Sequence, residues 1–136
     1  MSRFAIIDTN VLVSALLSSN EDSATVRILN NVFLGEIIPV VNKTVLNEYR
    51  EVLSRSKFGF LQTLIDYVLS AIEAFGYIHV PEPSGTIIPD MDDLPFYETA
   101  LALQEKEAYF ITGNIKHFPN APFVVTPRDY INQFFE

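Results

Sequence analysis

The chain contains no cysteine, which excludes disulfides and thiolate metal sites and fits a reducing compartment. It has no apolar run approaching the ~18 residues of a membrane span, so no membrane association is expected. The apolar stretch near the N-terminus is broken by Asp8 and lacks the long core of a secretory signal, so a cytoplasmic location is expected. Basic residues are scarce: 9 lysines and arginines stand against 17 aspartates and glutamates, a net charge of −8. That disfavours a general nucleic-acid binder, whose affinity comes from a broad basic face that releases counterions. It leaves room for acidic residues concentrated around a metal, or for a basic protein partner. Neither an internal repeat nor a low-complexity segment is present.

What is present suits a compact fold. The 136 residues point to one domain, residues 1–136. A chain near this size buries roughly two-thirds of the surface its unfolded form exposes. Apolar residues make up 49% and charged residues 19%, enough to build a core without staples.

Phe4 to Ile7 is a continuous apolar run of the kind that fits a strand buried on both faces. Val11 to Leu17 reads as a short helix, and Ser23 to Leu34 as a longer one that stops at Gly35. Ile37 to Val41 reads as a second strand, with Pro39 suggesting an edge or irregular position. Asn42 or Thr44 can cap the next helix, whose stripe is Val45, Leu46, Tyr49, Val52 and Leu53. Leu61, Leu64, Ile65, Val68 and Ile72 form another stripe, closed by Gly76, and Tyr77 to Val80 is a third strand. PEPSGTIIPDMDD, Pro81 to Asp93, carries three prolines and four acids and reads as a surface loop. Pro95 suits the first turn of a helix reaching about Lys106. Ala108 to Thr112 and Phe123 to Val125 read as the last strands, and Thr126 to Asp129 has a capping-box pattern. Strands alternating with helices predict an α/β fold, a parallel sheet with helices on both faces.

In such a sheet the functional crevice lies beyond the carboxyl ends of the strands. Asp8 follows the first strand, Asp90, Asp92 and Asp93 lead into a helix, and Thr112 and Asn114 follow the fourth strand. Glu48 lies three after Val45 and four before Val52, so it flanks an apolar stripe, an edge from which a charge could point along the sheet rim into the same crevice. Two carboxylates ~4 Å apart repel by about 4 kcal/mol at an effective dielectric of 20. If Asp8, Glu48 and Asp93 converge, they must take up protons or recruit a cation. With oxygen ligands that cation is hard, Mg²⁺ or Mn²⁺, which serves phosphodiester hydrolysis.

Each residue also has a purely structural reading. Asp8 suits a helix cap, Glu48 a solvated helix position, and Asp93 a favourable charge at a helix N-terminus. Thr112 suits a strand end, Asn114 a turn residue that tolerates positive φ, and Asp129 a capping partner. His79 and His117 lack ligand spacing, and Lys116 with His117 fits a solvated loop. Arg55, Lys57, Phe58 and Phe60 mix basic and aromatic residues; that suits RNA contact, and equally a helix end tucked onto the core.

Four stretches in order resemble the motifs of the PIN-domain family, the metal-dependent ribonuclease fold of toxins in bacterial toxin–antitoxin pairs. IIDTNVLVSALL, Ile6 to Leu17, resembles the first motif, whose aspartate binds metal. VNKTVLNEYREVL, Val41 to Leu53, resembles the second, with its glutamate at Glu48. DDLPFYETALAL, Asp92 to Leu103, resembles the third, matching Asp93 and Ala100. YFITGN, Tyr109 to Asn114, resembles the fourth, usually threonine, one residue, then aspartate. The resemblance spans Phe4 to about Arg128. It implies three α/β/α layers around a parallel sheet of four or five strands, and a site built from Asp8, Glu48, Asp93 and the fourth-motif position. It implies RNA as substrate, homodimers and an antitoxin partner. Asn114 departs from the pattern: it keeps a carbonyl oxygen but removes a charge, which weakens metal affinity unless Asp90 or Asp92 compensates.

The first expectation is therefore a Mg²⁺- or Mn²⁺-dependent endoribonuclease, the toxin of such a pair. Asp8, Glu48 and Asp93 would hold the metal, and Asn114 and Thr112 would orient a ligand, a water or the scissile phosphate. The alternative is a catalytically weak PIN-like module whose acidic pocket receives an arginine from a basic partner. A phospho-acceptor signalling domain ranks below both, since it needs an acidic pair where this chain has Asp8-Thr9-Asn10.

Overall fold

The structure is a computed structural model and describes residues 2–136. Its strands are β1 (Arg3–Ile7), β2 (Ile37–Val41), β3 (Tyr77–Ile78), β4 (Tyr109–Ile111) and β5 (Val124–Val125). They form one sheet in the order β3-β2-β1-β4-β5, and every pairing is parallel. Helices on its two faces complete three α/β/α layers. The central strand β1 is buried on both faces at Ala5, Ile6 and Ile7, which is why its sequence does not alternate.

The strand order decides where the site lies. From β1 the chain steps outward through β2 to β3, then returns to place β4 on the other side of β1. The direction of winding reverses between β1 and β4. In a parallel sheet that switch point opens a crevice at the strands' carboxyl ends, because the flanking connections diverge to opposite faces. Asp8 and Thr112 are the residues immediately after those two strands.

The helices are α1 (Thr9–Leu17), α2 (Ala24–Phe33), α3 (Lys43–Leu53), α4 (Gln62–Phe75), α5 (Leu94–Ala102) and α6 (Pro127–Phe134). Three begin on caps legible in the sequence. The Ser23 hydroxyl accepts the Val26 N–H at 3.3 Å, the Asn42 carbonyl that of Val45 at 3.0 Å, and the Thr126 hydroxyl that of Asp129 at 3.1 Å. Helix α3 buries Val45, Tyr49 and Leu53, and α4 buries Ile65, Val68, Leu69 and Ile72. Gly76 is required by space: a Cβ there would come within 2.6 Å of the Ile72 carbonyl and 2.9 Å of the Pro39 carbonyl. Among the described residues no helix is long and apolar enough to cross a membrane.

Four local expectations are corrected. Pro39 is not on an edge strand, since β2 lies between β3 and β1. Its missing N–H costs no ladder bond, because residues 39 and 41 face β3 and that strand begins only opposite Val40. Strand β3 is shorter than Tyr77 to Val80, ending at Ile78. Leu61 and Leu64, assigned to a buried stripe, are exposed at the start of α4. Helix α5 ends at Ala102 instead of near Lys106. There the Gln104 amide donates to the Ala100 and Ala108 carbonyls at 2.8 and 2.9 Å, and Glu107 turns the chain at φ 55° into β4.

Candidate active site

Strand β1 ends by delivering Asp8 to the switch point. Its backbone N–H still pairs with the Ile111 carbonyl of β4 at 2.9 Å, and its side chain is buried. It occupies the cap position of α1, yet its carboxylate makes no cap hydrogen bond. Instead Oδ2 accepts the Thr112 hydroxyl at 2.6 Å and the Asn10 amide at 3.2 Å. Burial pushes the Asp8 carboxyl above its usual range. The Thr112 hydroxyl opposes that most strongly, with smaller pulls from the Thr9 and Asn10 backbone and the Asn10 side chain.

An open cleft of about 660 Å³ spreads over this point. Asp8, Glu48, Asp90, Asp93 and Asn114 all line it. Glu48 comes from α3, while Asp93 comes from the turn Met91–Asp93 that leads into α5. The carboxyl of Asp93 is pushed up to about 6, first by burial, then by the charges of Asp8, Asp90 and Glu48. Exposed His117 opposes that rise weakly. Glu48 is raised by burial and by Glu51, with Arg55 opposing and Asp92 and Asp90 adding to the rise. Negative charges drawn from β1, α3 and the start of α5 thus feel one another.

Of the residues singled out in the sequence, Asp8, Glu48, Asp93 and Asn114 share the cleft, together with Asp90, Arg55 and Phe58. Thr112 stands behind Asp8, fully buried. Its hydroxyl donates to the carboxylate and accepts the Asn114 N–H at 3.0 Å. Asn114 adopts φ −122°, so it is no positive-φ turn residue. Asp92 is exposed and its backbone N–H is held by Asp90 Oδ1 at 3.0 Å. Lys116 and His117 lie on an exposed turn outside the cleft lining, and the His79 backbone is spent pairing with Val41 and Asn42. A separate cavity of about 500 Å³, lined in part by Lys43, Arg50, Ser70 and Glu73, carries no comparable set of carboxylates.

Three positioning residues were not legible as such. The Tyr49 hydroxyl, fully buried, donates to the Ile7 carbonyl at 2.5 Å and ties α3 to the end of β1. The Asn10 side chain donates to Asp8 and accepts the Gly113 N–H at 3.1 Å, clipping the two loops of the switch point together. The Asn42 amide donates to the His79 carbonyl at 2.9 Å and to the Thr99 hydroxyl at 3.3 Å, fixing the start of α3. The signals were a tyrosine inside an apolar stripe, an asparagine two residues after Asp8, and an asparagine at the cap of α3 whose amide had bonds left to make.

The donor set suits a hard divalent cation: carboxylate and amide oxygens and no sulfur. Among the described residues no three His, Asp or Glu side chains are already grouped as a ligand cluster. Glu48 and Asp93 are half-buried in the lining of the same cleft as Asp8.

The five parallel strands, the helices on both faces and the acid-lined cleft at the switch point define an α/β/α domain with a candidate site at its strand ends. The family model described as PIN domain matches residues 5–116, and the chain belongs to that family, whose members are generally nucleases. Comparison with curated proteins and with solved structures finds no significant match.

Proposed function

We propose that the chain is a metal-dependent endoribonuclease, the toxin of a toxin–antitoxin pair, acting in the cytoplasm as a homodimer and restrained by a basic antitoxin. The observation that carries the catalytic part is the single cleft at the β1/β4 switch point lined by Asp8, Glu48 and Asp93. Those three carboxylates would hold Mg²⁺ or Mn²⁺. When bound, such an ion supplies charge that offsets the developing phosphate anion and lowers the pKa of the attacking water. The chain's own contribution is positional. The Thr112 hydroxyl and the Asn10 amide both hold the Asp8 carboxylate at Oδ2, which fixes the carboxylate at the end of β1. Asn114 offers a side-chain amide at the same cleft, and Asp90 adds negative charge where the family's fourth acid is replaced. RNA cleavage with Mn²⁺ by the native chain and by Asp8→Asn tests this reading. Cleavage by the native chain and its loss in the variant are expected; equal cleavage by both removes Asp8 from the mechanism.

Asn114 favours a second reading, a catalytically weak module whose acidic cleft receives an arginine from a basic partner. The net charge of −8 supports such a partner under either reading.

A further inference from the structure

We propose that Phe58 and Arg55 form a subsite for one nucleotide of single-stranded RNA, with the base stacked on the Phe58 ring and its phosphate on the Arg55 guanidinium. The proposal rests on the nuclease reading for its substrate, and it assigns the basic–aromatic segment after α3 that the acidic site leaves unexplained.

The geometry comes from a short turn. After α3 the chain makes one tight turn at Ser56–Phe58 and reverses at Gly59, whose φ of 68° suits a residue without a Cβ. The reversal lets Phe60 pack against the core while Phe58 stacks on Phe60, ring centroids 5.7 Å apart and planes 19° from parallel. Phe60 therefore does the core packing, and Phe58 is a half-buried ring held in place by it. Both Phe58 and Arg55 line the cleft that contains Asp8, Glu48 and Asp93.

Charge points the same way. The chain has 9 basic residues; of these Arg55 shares the cleft lining with Phe58, and Lys57 Nζ lies over the Phe58 ring, 5.1 Å from its centroid. Arg55 is engaged by Glu51 at 3.0 Å, but both side chains are about half exposed, and a pair of that kind yields readily to a phosphate. Arg55 also offsets the raised pKa of Glu48, so its charge stands beside the acidic residues. An acidic cleft repels a polyanion, and a cation with an aromatic platform at its rim gives the strand a hold there. Every base has a π-face, so the subsite accepts any unpaired base; a base stacked inside a duplex cannot present that face.

The chain contains no tryptophan, so Phe58→Trp introduces a unique fluorophore at the subsite. Its emission is measured on addition of a single-stranded oligouridylate and of a duplex of equal length. In parallel, kcat and KM for single-stranded cleavage are compared between the native chain, Phe58→Ala and Arg55→Ala. Quenching by the single strand but not the duplex is expected. With it, KM in each alanine variant should rise roughly tenfold or more, and kcat in Phe58→Ala should stay within about twofold. Emission unchanged by the single strand, or changed equally by the duplex, overturns the proposal, as does an unchanged KM in Phe58→Ala. Quenching by the single strand alone, with no cleavage by the native chain, supports the subsite and removes the nuclease reading. Cleavage without quenching removes the subsite and leaves that reading standing.

Discussion

The hydroxyl of Tyr49 donates to the carbonyl of Ile7, 2.5 Å away, inside the core and one residue before Asp8. Burial and the nearby Asp8 charge raise the phenol far above its usual range, so it remains a donor at any pH the fold survives. Glu48 precedes Tyr49 on α3, so this bond anchors the turn of helix that carries Glu48 to the end of β1. Tyr49→Phe leaves a buried carbonyl without its partner and should cost about 1–3 kcal/mol. Urea denaturation measures that cost. A loss of cleavage activity larger than the loss of folded protein should accompany it, because Glu48 is displaced. Unchanged stability and activity would show that the bond does not position α3.

The Asp93 carboxyl is pushed from its ordinary 3.8 up to about 6. A carboxyl with a higher pKa in the folded chain binds more protons there than when unfolded. Its contribution to stability is therefore present at low pH and lost as pH rises from 3.8 to about 6. The metal-free chain should lose this contribution across that window, and Asp93→Asn should flatten the dependence there. Divalent-cation uptake should rise over the same window as the carboxylate forms. Denaturation series in EDTA at stepped pH, native against variant, check the first point; superimposable curves would contradict it.

Asn114 sits at the cleft with an amide where a carboxylate adds a charge. Asn114→Asp should tighten Mn²⁺ binding by about tenfold or more, because it adds a full negative charge to the cleft lining. Titration calorimetry reads this directly. A native chain that takes up no metal at millimolar levels, beside a variant that does, favours the binding-module reading.

Local chemistry made much of the fold legible. Ser23, Asn42 and Thr126 act through bonds to residues three positions away, so their caps could be read from short segments. The uniform burial of Ala5 to Ile7 likewise follows from an unalternating apolar run. Pro39 was misplaced because strand order is not local: nothing near it indicates that β3 pairs outside β2, or that β3 is too short to need its N–H. For the same reason the acids could be collected at strand ends, while the reversal between β1 and β4 that joins them had to come from the structure. Tyr49 was hidden by its own stripe, since apolar periodicity counts its ring and is silent about its hydroxyl. Thr112 was placed beside the site, but its contact with Asp8 spans 104 positions of chain, and no spacing rule reaches that far.

The central claim is that carboxylates from β1, α3 and the start of α5 make one cation site. Mn²⁺ titration of the native chain beside Asp8→Asn, Glu48→Gln and Asp93→Asn tests it most directly. Saturable uptake by the native chain, weakened by about tenfold or more in each of the three variants, is the expected result. Native-like uptake in all three variants, or no uptake by the native chain at millimolar Mn²⁺, would contradict it.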